Sequence, residues 1–225
     1  MADLILHWLD EAEIPPSGNY TEELKARLAA DLPALGAEED HDNGTVDYLH
    51  ALVKLDALLP DDRVLVSDGG RFVRGTWPIL RTRGNSFVPA LDFGSIGLGL
   101  SYAIGAAFAA LGRPVVLVVG DGGFMNGGLA EFNTAVRYKL DLIVILGNDN
   151  SYGAEHVKFT RKNRHPGESL FSWPDFAPVA EALGGAGATV RRVSDWPIVE
   201  RAIAERRAPL LIDVKLDPDR LTAAD

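Results

Sequence analysis

Three short segments carry residue types suited to holding an anion and a cation together: Ser67-Asp68-Gly69-Gly70, Gly120-Asp121-Gly122-Gly123, and Gly147-Asn148-Asp149-Asn150-Ser151-Tyr152-Gly153. Each follows a short apolar run. Carboxylates are the hard oxygen donors that magnesium-like cations take. Glycines let a ligand approach the backbone closely and leave N–H groups free for an anion. Asp121 and Asp149 are 28 residues apart, enough for one helix and one strand. If their strands are neighbours, both carboxylates emerge at one sheet edge within reach of a single cation. A strand–glycine loop–helix order also aims a helix N-terminus at the anion. Such a set describes a hard cation bridging protein to a diphosphate. Asp-Gly and Asn-Asp-Asn are also ordinary strand-exit turns, and either alone reads that way. Their recurrence at successive strand ends makes coincidence the weaker account.

The elements that would position these loops alternate along the chain. Helices are expected at Val46–Leu59, Ile96–Leu111, Leu129–Tyr138, Trp173–Leu183 and Asp195–Arg206. Strands are expected at Arg63–Val66, Val115–Val119, Leu142–Leu146, Thr189–Val193 and Leu210–Val214. Continuous apolar strands between helices predict an α/β fold, a doubly wound parallel sheet with helices on both faces. Ligands of such sheets gather beyond the carboxyl ends of the strands. Residues 1–44 are acidic and read as a helical and linker segment. Leu24, Leu28 and Leu32 have helical spacing, Thr21 offers a cap, Pro33 marks an end, and Ala37–Thr45 is turn-forming. Residues 45–225 form the binding domain.

Composition narrows the function. Lys plus Arg number 22 against 32 Asp plus Glu, a net charge of −10, which repels nucleic acid. The absence of cysteine removes thiolate metal sites and cysteine nucleophiles. Apolar runs are too short to span a bilayer, and the N-terminus lacks signal-peptide features, so a cytoplasmic protein is expected. A Walker loop is absent, and a G-x-G-x-x-G reading from Gly120 meets Met125 at its third glycine. No G-x-S-x-G elbow is present. His156 and His165 read as solvated rather than metal-ligating.

The pattern GDG, about twenty-five residues, then an Asn/Asp pair resembles the signature of thiamine-diphosphate enzymes. VVGDGGFMNGGLAEFNTAVRYKLDLIVILGNDNSYGAEHV is similar to the C-terminal diphosphate-binding domain of the acetolactate synthase and 2-oxo acid decarboxylase group. SDGGRF and DFGSIGLGLSYAIGAA resemble further pieces of it, and the likeness runs from about Thr45 to Pro218. It implies thiamine diphosphate and Mg2+ as cofactors. The implied magnesium ligands are Asp121, Asp149 and the Ser151 carbonyl, with diphosphate oxygens and water completing an octahedron. Amides of Gly69, Gly70, Arg71, Phe72, Gly122, Gly123 and Gly153 would surround the diphosphate, with Gly120 and Tyr152 completing the cofactor set. Ile96 would prop the cofactor into its bent form, and the Gly94 carbonyl would accept from the aminopyrimidine. The family usually has Asn where Asp149 stands, an extra negative charge here; Asn148 or Asn150 is the alternative ligand if the turn shifts by one.

The resemblance also implies what lies elsewhere. The glutamate that activates the aminopyrimidine belongs to a pyrimidine-binding domain of the same or a partner chain, within a homo-oligomer, a dimer or tetramer. The residues outside the binding domain are too few to supply it. An excised domain is favoured over a separately encoded subunit, inactive alone in either case, and no nucleic acid or membrane partner is expected. The implied reaction is decarboxylation of a 2-oxo acid or carboligation, with a noncatalytic diphosphate- or nucleotide-binding regulatory module as the alternative. Tyr152, His156 and Phe159 are placed either over the substrate or in packing roles.

Overall fold

The computed structural model describes residues 35, 37–82, 86–110 and 112–220. The helix expected around Leu24, Leu28 and Leu32 lies outside them. The described elements run α1 (Tyr48–Leu58), β1 (Val64–Asp68), α2 (Val73–Ile79), β2 (Phe87–Ala90), α3 (Gly99–Ala109), β3 (Val115–Gly120), then a helical stretch. That stretch has an opening turn (Asp121–Gly123), a π turn (Phe124–Gly128) and α4 (Leu129–Arg137). β4 (Leu142–Asn148), α5 (Gly153–Arg161), α6 (Phe176–Ala182), β5 (Ala186–Val190), α7 (Trp196–Glu205) and β6 (Leu210–Lys215) complete the order.

The six strands form one sheet in the order β2-β1-β3-β4-β6-β5. Every pairing is parallel. β3, β4 and β6 are apolar runs because helices cover both of their faces, and β4 and β6 are buried throughout. On one face Phe124 meets Phe176 and Phe132 edge-on, at centroid distances of 5.6 and 6.4 Å. Phe124 directly follows Gly123, so this core anchors the loop that carries Asp121.

Several expected bounds shift for physical reasons. β1 continues through Ser67 and Asp68, whose polarity suggested an exit; both are buried. β5 lies at Ala186–Val190 rather than Thr189–Val193. Its small residues admit α6, since a Cβ on Gly187 would stand 2.3 Å from the Ala177 carbonyl oxygen. α2, β2 and α5 carry no clear periodic signal. α2 contains Pro78, and β2, at the sheet edge, contains Pro89 and is only partly buried.

Candidate metal and diphosphate site

β3 and β4 are neighbours with Gly120 opposite Gly147, so Asp121 leaves β3 beside Asn148, the last residue of β4, and Asp149 follows one position later. The Ser151 amide then stands 3.2 Å from Asp121 Oδ2 and 3.0 Å from Asp149 Oδ1. One N–H thus reaches both carboxylates. The Ser151 hydroxyl adds a bond to Asp149 Oδ1 at 2.8 Å, and the Gly122 amide donates to Asp121 Oδ1 at 2.8 Å. Both aspartates are 1% exposed.

Burial first, and then the charge of Asp149, push the Asp121 carboxyl up to about 8. Burial also raises Asp149, against the opposing pull of the Ser151 hydrogen bond and the Arg71 charge. Arg71 Nη1 donates to Asp149 Oδ2 at 3.1 Å. Among the described residues no cation pairs with Asp121. A buried carboxylate held only by amides is costly when ionised, unless a cation arrives.

The donor set fits a hard divalent ion. Both side-chain donors are oxygens, and no group of three or more His, Asp or Glu converges among the described residues to close a site by itself. An ion here would need further oxygen ligands, and a diphosphate supplies them. The cleft beside the pair has a volume of about 220 Å³. Gly69, Gly70, Arg71, Phe72, Gly94, Ile96, Gly120, Asp121, Gly122, Gly123, Ser151, Tyr152 and Gly153 all line it. Asp149 sits behind this lining, where its Oδ2 faces Arg71. Asn148 donates to Asp213 Oδ1 at 3.0 Å, and Asn150 accepts from the Trp173 amide at 3.3 Å, so both side chains have partners away from the Asp121–Asp149 pair.

Glycine is required where the walls meet. A Cβ on Gly122 would lie 2.6 Å from the Tyr152 ring, and one on Gly123 would lie 2.3 Å from Asp68 Oδ2. Tyr152 therefore packs over the backbone that faces the cleft. A π turn follows at once, a local irregularity often found at functional sites.

Sequence reasoning missed two positioning carboxylates. Asp68 accepts from the Gly97 amide at 2.8 Å and the Gly99 amide at 3.1 Å, tying the Gly94–Gly99 loop, and with it Ile96, to the end of β1. Burial raises its carboxyl, while these amides pull the other way. Asp213 accepts from Asn148 and the Phe176 amide and pairs with Lys215 at 2.7 Å, fixing the strand end before Asp149. Buried polar residues inside apolar strands were the available signal.

The expectation for His156 is corrected. It is 3% exposed, with Nε2 2.8 Å from Asp219 Oδ1. α5 turns this ring toward the chain's C-terminal segment, and neither it nor Phe159 lines the cleft. His165 is exposed as expected.

Residues 68–214 match the family model described as "Thiamine pyrophosphate enzyme, C-terminal TPP binding domain". The chain is 41% identical over 113 residues to 2-hydroxyacyl-CoA lyase 2 of Caenorhabditis elegans, covering 50% of this chain and 18% of that protein. It is 32% identical over 185 residues to the acetolactate synthase large subunit IlvG of Mycobacterium tuberculosis, covering 76% of this chain and 31% of that one. A solved structure, the thiamine diphosphate-dependent 4-hydroxybenzoylformate decarboxylase of Rhodococcus jostii RHA1, superposes with a TM-score of 0.68 at 27% identity. That match covers 83% of this chain and 36% of the decarboxylase, so the chain spans about a third or less of these relatives. With its parallel sheet, its two converging aspartates and its glycine-walled cleft, the chain belongs to the thiamine pyrophosphate enzymes, as their C-terminal cofactor-binding domain.

Proposed function

We propose that this chain holds the diphosphate of thiamine diphosphate through a magnesium ion, and serves an enzyme that decarboxylates or joins 2-oxo acids. The observation that carries this is the Ser151 amide within hydrogen-bond distance of both Asp121 and Asp149. It brings two hard donors to one point beside a cleft walled by backbone amides. Asp121, Asp149 and the Ser151 carbonyl would hold the ion, and the glycine amides would take the diphosphate oxygens. Ile96 and Gly94 would orient the other end of the cofactor. When bound, the cofactor supplies the electron sink, and the protein supplies position and electrostatics.

The loop proposed for the aminopyrimidine end is exposed at Asp92, Phe93 and Gly94. Phe93, beside Gly94, is fully exposed at φ +58°, a backbone region uncommon for a bulky residue. A pyrimidine-binding domain, from the same or a partner chain in a homo-oligomer, would cover this end and supply the activating glutamate. The 225-residue chain incubated with pyruvate, thiamine diphosphate and Mg2+ should release no carbon dioxide above a protein-free control. Adding a pyrimidine-binding domain in trans should restore release. Turnover by the chain alone, lost in Asp121→Ala, would contradict the two-domain reading.

One observation favours a second substrate class. Lys158 lines the cleft, and Arg161, Lys162 and Arg164 follow it on a chain of net charge −10. That run suits the phosphates of a coenzyme A thioester, the class named for the lyase relatives. Cleavage of a 2-hydroxyacyl-CoA by the restored enzyme, with pyruvate inert, would select it.

A further inference from the structure

Arg71 is a buried charged residue of this site whose side chain has no assigned role; only its amide was expected to act. It is buried, and its guanidinium reaches Asp149 Oδ2 at 3.1 Å and the Pro218 carbonyl oxygen at 3.0 Å, with a further bond to the Arg220 carbonyl. The pair is sealed, with side chains 3% and 1% exposed. Its space is reserved by sequence: a Cβ on Gly153 would stand 2.7 Å from Arg71 Cδ and 3.0 Å from Asp149 Oδ2. The first residue of α5 must be bare for the guanidinium to lie where it does.

Charge explains why such a pair is useful. Asp121 and Asp149 bring two negative charges to one buried point, and a divalent ion cancels both. A diphosphate then adds at least two more in a medium where charges interact strongly. The Arg71 cation offsets one carboxylate from within the protein. It also occupies Asp149 Oδ2, leaving Oδ1, already oriented by Ser151, as the oxygen on the Asp121 side.

We propose that Arg71 is the internal counter-ion of the metal site, a positioning residue that cancels the charge of Asp149 so that an anionic second ligand is compatible with a diphosphate. This rests on the thiamine-diphosphate reading above. The competing role is mechanical: Arg71 also binds two carbonyls of the C-terminal segment and could serve only to fasten it.

The two roles differ in sign. A counter-ion repels a bare cation and attracts a metal–diphosphate complex, whereas a fastener supports both. Arg71→Met, Asp149→Asn and the double variant would be titrated with Mn2+ alone, by the electron paramagnetic resonance of the free ion, and with thiamine diphosphate in saturating Mg2+, by calorimetry. Arg71→Met should tighten Mn2+ by about threefold and weaken the diphosphate complex by about tenfold or more. In the Asp149→Asn background Arg71→Met should move the two affinities in the same opposite directions, because the cation acts on the ion and the diphosphate whichever residue it neutralises. Arg71→Lys keeps the charge without the guanidinium fork and should hold both affinities within about threefold, which also covers a poorly folding Arg71→Met. A joint fall of both affinities in either background, or no change in either affinity, would overturn the proposal. If wild type bound Mn2+ but no thiamine diphosphate, the parent reading would fail, and the Mn2+ titrations alone would decide the role of Arg71.

Discussion

The two ends of the cleft are built differently. The diphosphate end rests on two central strands: Asp121 and Asp149 follow β3 and β4 directly, and the Phe124, Phe132 and Phe176 cluster lies under the first loop. The end proposed for the aminopyrimidine rests on a loop, Gly94–Gly99, held to the sheet by one carboxylate, Asp68, with exposed Phe93 at its margin. The sheet fixes where charge is held, and in the proposed function the loop would present the rest of the cofactor.

Breaking the loop's attachment should have the largest effect on stability. Asp68→Ala strands the buried Gly97 and Gly99 amides and should cost about 2–4 kcal/mol, at about 1–3 kcal/mol for each unsatisfied group. Thermal denaturation would show it. A variant as stable as wild type would mean the loop holds itself, and the contrast between the ends would dissolve.

The diphosphate end should reveal itself through pH. Asp121, pushed up to about 8 by burial and by Asp149, sits far above the ordinary aspartate value of 3.8. A raised folded-state value favours the protonated form, so this contribution to stability is full below the unfolded value and is lost as pH rises toward 8. Mg2+ would replace the proton. The rise in melting temperature produced by Mg2+ should therefore grow between about pH 5 and 8. A shift independent of pH would place the ion elsewhere.

Two smaller changes sharpen the contrast. Ile96→Ala acts on a half-buried side chain and should leave stability nearly unchanged while weakening cofactor binding about tenfold, the worth of a buried aliphatic contact. Unchanged affinity by calorimetry would return Ile96 to simple packing. Asp149→Asn should shift affinity for the magnesium complex by no more than about threefold, since Arg71 remains to face the diphosphate. Complete loss would show that the second negative charge is itself required.

What could be read from sequence follows the same division. The aspartates and glycines at strand ends were legible because apolar runs mark the strands and a parallel sheet aligns their carboxyl ends. The Arg71–Asp149 pair joins residues 78 apart, and no local pattern announces it. Asp68 resembled an exit turn because its partners, Gly97 and Gly99, lie about thirty residues on. α2 and β2 were lost to the prolines they tolerate at the margin of the sheet. His156 was misjudged because its cover, Asp219, comes from the far end of the chain. Local chemistry was visible, and the side-chain partners that tune it were not.

The central claim is that Asp121 and Asp149 hold a divalent ion that in turn holds a diphosphate. Its most direct test is calorimetric titration of thiamine diphosphate into wild type and Asp121→Ala, each with Mg2+ and with a chelator. Binding should appear only in wild type with Mg2+, and Asp121→Ala should lose it at least about a hundredfold while keeping its circular dichroism, as expected when a hard-cation site loses a ligand. Equal affinity with Mg2+ and with chelator, or wild-type affinity in Asp121→Ala, would contradict the account.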